Sequence, residues 1–392
     1  MQRYRFISAL TILVLGLSQT IAHSAQIDIP ILYVKQQIER PPVRSDLVSW
    51  PADEGEQGSK LGIADSNTTG KFLGHRYHFE TMDFAVGADI LGAMKQRLAD
   101  GSKIVVINAP ADILNAIADL PAARDDLIFN AGSASDALRD AQCRPNLLHT
   151  LPSRAMLADA LMQFLAAKKW RDIFLVEGNR PGDTAFANAL RRSAKKFQLT
   201  IKHEKKWLLD VDIRRNAARE VPVFTQARAY DVVVVADEDH DFGQYLMYNT
   251  WLPRPVAGNA GVQPVAWHRA VEQWGAAQLQ SRFSKAANRA MTSIDYAAWA
   301  AVRSVAEAVT RTKSSDTAAI RSYLFSDEFS LAGFKGSRLT YRRWNGQLRQ
   351  PIPLAHPDAI VAAAPIEGFL HRQTELDTLG LDQPESKCKE MN

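Results

Sequence analysis

The feature that most constrains this chain is a rhythm, run through twice, of short apolar β-branched segments alternating with stretches of helical periodicity. Ile27 to Val34 reads as a strand, Asp53 to Asn67 as a helix with acids in its first turn, Tyr77 to Phe84 as a strand and Ala88 to Ala99 as a helix. Ile104 to Ile107 is wholly apolar and β-branched, a helix begins near Ala111, and Leu127 to Asn130 is the next strand. A second series opens near Thr150: a helix over Arg154 to Lys168, strand Ile173 to Val176, helix Thr184 to Lys196, strand Thr200 to Trp207, then the buried run Val232 to Val235. Continuously apolar strands separated by helices belong to parallel sheets covered on both faces. The expected fold is therefore α/β: two Rossmann-like lobes with a hinge and an inter-lobe cleft. Lobe 1 is expected over residues 25–149 plus 266–348, and lobe 2 over 150–265 plus 349–392. Gln278 to Thr312 is helical with a break near Met291 and Thr292. Leu339 to Tyr341, the turn Trp344-Asn345-Gly346-Gln347 and Ile352 to Leu354 read as a closing hairpin.

The first 24 residues look like a secretory leader: Arg3 and Arg5, an apolar run from Phe6 to Leu17, then Ala22-His23-Ser24 with small residues at the cut. The apolar run is short for a membrane span of about 20 residues. Export permits a disulfide between the two cysteines, Cys143 and Cys388, which would staple the C-terminal tail to mid-chain; the alternative is two unpaired thiols. A formal charge of +4 spread over 392 residues, without a Lys/Arg stripe, gives no footprint for nucleic acid. No membrane insertion is expected once the leader is cut, and the expected state is a monomer.

No catalytic set emerges. Gly132-Ser133-Ala134-Ser135 lacks the second glycine of a nucleophile elbow, and Gly70-Lys71 is followed by Phe72, so no phosphate loop forms. Asp237-Glu238-Asp239-His240-Asp241 begins like a calcium loop but has Phe242 at position six and Tyr248 at position twelve. The expectation is a binding protein with no metal and no catalytic cofactor. Ligands of open parallel sheets bind beyond the C-terminal ends of the strands. There the chain offers Trp50, Trp267 and Trp274 for stacking, and Arg180 and His268 for anionic groups. Asn108, Ser133 and the amides of a helix starting at Asp53 and Glu54 would donate hydrogen bonds, with Asp237 and His240 on the opposite wall. The set describes a site for a flat, anionic molecule.

The two-lobed, exported pattern resembles type I periplasmic solute-binding proteins of the branched-chain amino-acid ABC transporter class. Leu147-Leu148-His149-Thr150, Ile173 to Glu177 and Gly182-Asp183 parallel that family's entry into its second lobe, and Tyr296 to Val302 resembles its long helix. A narrower set resembles the binding proteins associated with alcohol dehydrogenase systems that depend on pyrroloquinoline quinone (PQQ): Pro51 to Gly55, Asn67 to Gly70, Pro264 to His268, Gly346 to Pro351, Asp377 to Gly380 and Pro384 to Ser386. The resemblance implies a periplasmic location and PQQ or a related flat anion as ligand, for an ABC permease or for delivery to the dehydrogenase system. A small alcohol-derived or aromatic acid is the first alternative ligand; a non-transport accessory carrying cofactor or metal is the second. Amino-acid binders grip the ligand's carboxylate and ammonium with a Ser/Thr-rich loop after the fourth strand. The stretch taken to correspond, Asn108-Ala109-Pro110-Ala111-Asp112, has no hydroxyl, which argues against an ordinary amino acid.

Overall fold

The computed structural model describes residues 26–40, 50–101, 103–208, 213–389 and 391; the expected leader lies outside them. In the first lobe the chain runs β1 (Ile27–Gln36), α1 (Glu56–Leu73), β2 (His75–Phe84), α2 (Ile90–Ala99), β3 (Ile104–Asn108), α3 (Ala111–Ala118), β4 (Leu127–Asn130) and β5 (Leu147–His149). The five strands are parallel, in the order β2-β1-β3-β4-β5. The second lobe continues with α4 (Arg154–Ala167), β6 (Asp172–Glu177), α5 (Pro181–Lys196), β7 (Thr200–Lys206), α6 (Ile213–Phe224), β8 (Val232–Ala236), α7 (Gly243–Leu246) and β9 (Val256–Gly258), giving a parallel sheet β7-β6-β8-β9. Then follow β10 (Gln263–Pro264), α8 (Ala276–Ala287), α9 (Ser293–Thr312), α10 (Thr317–Leu324), β11 (Leu331–Ala332), β12 (Arg338–Leu339), β13 (Ile352–His356) and β14 (Ala359–Ala364).

The inner strands of both parallel sheets, β3, β4, β6 and β8, are buried on both faces and read as apolar runs, whereas the edge strands β2 and β7 are partly exposed and carry charged residues. On one face of the first sheet Ile29, Ile31, Tyr33, Val106 and Phe129 pack with α9; on the other Leu32, Val34, Val105, Ile107 and Ile128 meet α2 and α3 residues such as Met94 and Leu114. The α1–α9 contact is unusually close. A Cβ on Gly58 would stand 2.0 Å from the Asp295 carbonyl oxygen, so only glycine permits this approach. The chain passes between lobes after His149, around β10, and between Leu348 and Ile352: residues 266–348 join the first lobe's core, while Ile352, Leu354, Ala364 and Leu379 join the second's. No helix among the described residues is long and apolar enough to cross a membrane.

Two expectations need correction. The hairpin exists only at its turn, where Gly346 adopts φ 65° and Tyr341 bridges Leu348. Ile352 to Leu354 pairs instead with β14 and β10, because Pro351 and Pro353 carry no N–H for a ladder with Leu339 and the chain there is crossing to the other lobe. The tail likewise does not stay with lobe 2. It docks there through Lys196 Nζ to the carbonyls of Thr378 and Gly380 (3.0 and 3.2 Å), while Asp377 Oδ1 accepts from Arg342 of the first lobe's segment and from Arg349 of the crossing, at 2.8 Å each. Its end then returns to lobe 1, where Cys388 is disulfide-bonded to Cys143.

Candidate functional site

The loops leaving the C-terminal ends of β1, β3 and β4 form one wall of the cleft, held together by a chain of contacts. The Tyr33 hydroxyl donates to the Glu54 carbonyl at 2.8 Å. Tyr33 also lies beside Asn108, and a Cβ on Gly132 would lie 2.1 Å from Asn108 Oδ1. Burial raises the pKa of the Glu54 carboxyl, with Asp295 adding to the effect.

The loop after β4 is the most constructed part of this wall. Asn130 Oδ1 accepts from the N–H groups of Gly132 (3.2 Å) and Ser133 (2.8 Å), an Asx turn that sets the bend. Fully buried Arg139 then pulls the loop's carbonyls backward: Nη1 donates to Ser133 O at 2.9 Å and Ser135 O at 2.8 Å, Nη2 to Leu151 O at 2.8 Å, and Nε to Gln347 Oε1 at 2.9 Å. The intervening Ala134 carbonyl accepts from the Arg154 N–H at 2.9 Å, at the N-terminus of α4. With three successive carbonyls engaged, the amides of Ala134 and Asp136 have no acceptor among the described residues. The Asp136 carboxylate is occupied by the Ala155 N–H at 2.8 Å. The result is a pair of backbone donors backed by a cation and a helix N-terminus, an arrangement suited to a carboxylate.

The loop after the fourth strand therefore does carry hydroxyls, Ser133 and Ser135. The stretch at Asn108 to Asp112 follows the third strand, so its lack of hydroxyls does not bear against an amino-acid ligand.

The opposing wall comes from β6 and β8. Arg154 makes a two-pronged ion pair with Glu238 (2.7 and 2.6 Å), and Arg180 Nε lies 3.4 Å from Asp239 Oδ2. Asp183 accepts from the Glu238 N–H at 2.8 Å and the Arg180 N–H at 3.0 Å; burial, with Asp237 and Asp239 nearby, pushes its pKa up to about 6. The walls meet where Trp50 packs on His240, ring centroids 5.6 Å apart, while the Arg40 guanidinium lies 3.6 Å over the Trp50 ring. Glu54 and Asp239 both act on the Arg40 charge. Burial holds His240 below the ordinary histidine pKa.

Of the expected site residues, the structure brings Trp50, Glu54, Asn108, Ser133, Arg180 and His240 to these two walls. Five others it directs elsewhere. Trp267 is only 3% exposed, stacked on Tyr296 at 4.9 Å with its indole N–H donating to Gln280, so the ring is core and not open to a ligand. Trp274 is 55% exposed and lies against Gly336, on the outside of the first lobe's β11–β12 connection. His268 accepts from the Ala270 N–H and neighbours Arg269 and Asp358 at the β13–β14 turn. Asp237 spends its carboxylate on the N–H groups of Asp241, Phe242 and Gly243, closing its own loop. Asp53 is ion-paired to Arg289, and α1 starts at Glu56 rather than Asp53; the Gly55 amide is consumed by Asp295 Oδ1 at 2.7 Å. Arg40, Arg139 and Arg154 were missed, since an isolated arginine carries no sequence signal for partners far along the chain, such as Gln347 for Arg139 and Glu238 for Arg154.

Residues 48–211 match a family profile described as periplasmic binding protein. A branched-chain amino-acid ABC transporter periplasmic ligand-binding protein from Burkholderia xenovorans superposes with a TM-score of 0.72 at 15% identity, covering 93% of this chain and 100% of that one. The fold is that of type I periplasmic binding proteins. A periplasmic binding protein from Burkholderia mallei is similar (TM-score 0.66, 14% identity, 93% and 99% covered). So is a solute-binding protein from R. palustris in complex with benzoate (TM-score 0.63, 10% identity, 93% and 100% covered). A search of curated proteins returned no significant match.

Proposed function

We propose that this protein is a periplasmic solute receptor of the ABC-uptake kind, which closes its lobes on a small molecule bearing a carboxylate. The observation that carries the reading is the loop after β4, whose carbonyls are drawn back by Arg139 and α4 while the Ala134 and Asp136 amides are left without acceptors. Trp50 and Arg40, against His240, add one aromatic face and one cation where the walls meet. A single carboxylate suits this balance: Arg154 and Arg180 already face Glu238 and Asp239. Among the described residues the walls present no nucleophile with an adjacent base, and the proposal is of a binder rather than an enzyme.

PQQ is the second reading, favoured by the Trp50–Arg40 pair, on which a planar anion can stack and be neutralised. Its three carboxylates would require the Arg154–Glu238 or Arg180–Asp239 pair to open. In that case the partner is a PQQ-dependent dehydrogenase system or its permease.

Calorimetric titration with leucine, benzoate and PQQ, each carboxylic acid beside its amide where one exists, tests both readings. A carboxylate bound at least tenfold more tightly than its amide supports the first, and PQQ bound above the others selects the second. Equal binding of acid and amide, or none of the three bound, refutes the carboxylate site.

A further inference from the structure

Lobe 2 carries a groove of about 660 Å3, formed by the loop after α7, by Val256 of β9, by Gly261 and Val262, and by His356 at the end of β13. None of its lining residues belongs to the cleft walls described above. The volume lies within the range of roughly 300–1,000 Å3 typical of small-molecule sites.

Its two aromatic residues are displayed at a cost. Tyr248 adopts φ 67°, a left-handed conformation unfavourable for a bulky side chain, yet is 89% exposed. Burial does not repay this conformation. Trp251 is 50% exposed, although its backbone is pinned by the Trp251 N–H donating to Thr225 Oγ1 at 2.8 Å. The loop is held by further bonds, Asn249 Nδ2 to the Tyr245 carbonyl at 3.0 Å and Thr250 Oγ1 to the Leu252 carbonyl at 2.6 Å, so the rings are presented by a built element. Arg254, on the same groove, is exposed and has no carboxylate partner among the described residues. Two indole- and phenol-sized faces with one unpaired guanidinium match a flat aromatic ring bearing one negative charge.

We propose that this groove is a second ligand site, for a planar aromatic monocarboxylate that stacks on Trp251 and Tyr248 and pairs with Arg254. The site stands apart from the cleft and does not depend on what the cleft holds. It also abuts the hinge: Val262 leads directly into β10, and in the same turn Asn259 Oδ1 accepts from the Asp237 N–H at 2.8 Å.

The probe is 2-naphthoate, titrated calorimetrically into the full chain, with 2-naphthamide as the neutral control. Saturable 2-naphthoate binding is expected, weakened at least tenfold by W251A and by R254Q, with amide binding indifferent to R254Q. Y248G is expected to raise Tm while weakening 2-naphthoate binding, a combination that a purely structural tyrosine would not give. W50A, which alters the cleft wall, should leave this affinity unchanged. Absence of saturable binding, or wild-type affinity in W251A and R254Q, would overturn the proposal. So would loss confined to W50A, which would move the bound molecule to the cleft.

Discussion

Replacing Arg139 with methionine removes the guanidinium that turns the β4 loop while keeping most of the side chain's volume. Four acceptors lose a donor, but not equally. Ser133 O keeps Asn130 Nδ2 at 2.8 Å and Leu151 O keeps Gln347 Nε2 at 3.2 Å, whereas Ser135 O and Gln347 Oε1 are left without one. Gln347 Oε1 is buried and Ser135 O part-buried, and a stranded acceptor costs about 1–3 kcal/mol, toward the lower end where water reaches it. Part of that returns because a cation is no longer held away from water, where burial pushes its pKa down to about 9. The net expected loss is about 2–3 kcal/mol, measurable by urea unfolding. Binding should suffer separately: a loop free to rotate its carbonyls outward no longer presents the Ala134 and Asp136 amides together. For whichever carboxylate binds wild type, Kd should rise at least tenfold, about 1.4 kcal/mol, and Arg139→Lys should recover stability better than affinity. An R139M protein that binds as wild type does would refute the argument that Arg139 shapes the site.

The hinge histidine gives a pH signature. His149 is fully buried, and its pKa is pushed well below the usual value by burial and by Arg139. The unfolded chain takes up a proton below about pH 6.5 that the folded one refuses, so stability should fall by about 1.4 kcal/mol per pH unit below that point, and His149→Gln should flatten the slope. Asp183 acts oppositely. With its folded pKa raised to about 6, its effect is most favourable at low pH and is lost as pH rises from about 4 through 6, so D183N should gain on wild type across that window in thermal melts. Trp267→Ala should cost about 3–5 kcal/mol as a core deletion, whereas Trp50→Ala should leave urea stability within about 1 kcal/mol and weaken ligand binding. Removing the disulfide with C143S/C388S should cost about 2–4 kcal/mol in urea and enlarge the ligand-free radius of gyration in solution scattering.

The two sheets were legible because strands buried on both faces must be written as continuous apolar runs, and Val232 to Val235 admits hardly any other reading. The positions of their C-terminal ends follow from topology alone, which is why Asn108, Ser133, Arg180 and His240 could be placed on the walls facing the cleft. Side-chain direction was not legible. Trp50 and Trp267 look alike as letters, yet one meets His240 and the other is enclosed by Tyr296 and Gln280, a difference decided by α8 and α9 packing onto a sheet far upstream. Asp237 looked like a ligand-facing acid because its three amide donors follow it in the chain and carry no side-chain signature. The buried arginines are the same problem in reverse: Arg139 serves acceptors from three separate segments, a convergence that periodicity does not encode.

The link between Cys143 and Cys388 alters the mechanics of the whole particle. Two bodies joined by crossing peptides can swing and also twist, but here the last residues of one body's tail are soldered to a loop of the other, 245 positions earlier. Such a leash tolerates a swing about an axis close to it and resists rotation that would drag its ends apart, so the motion left to the molecule approaches a single degree of freedom. It also makes maturation conditional on place: a copy kept in a reducing compartment would lack the leash, and would sample openings that the oxidised protein never visits.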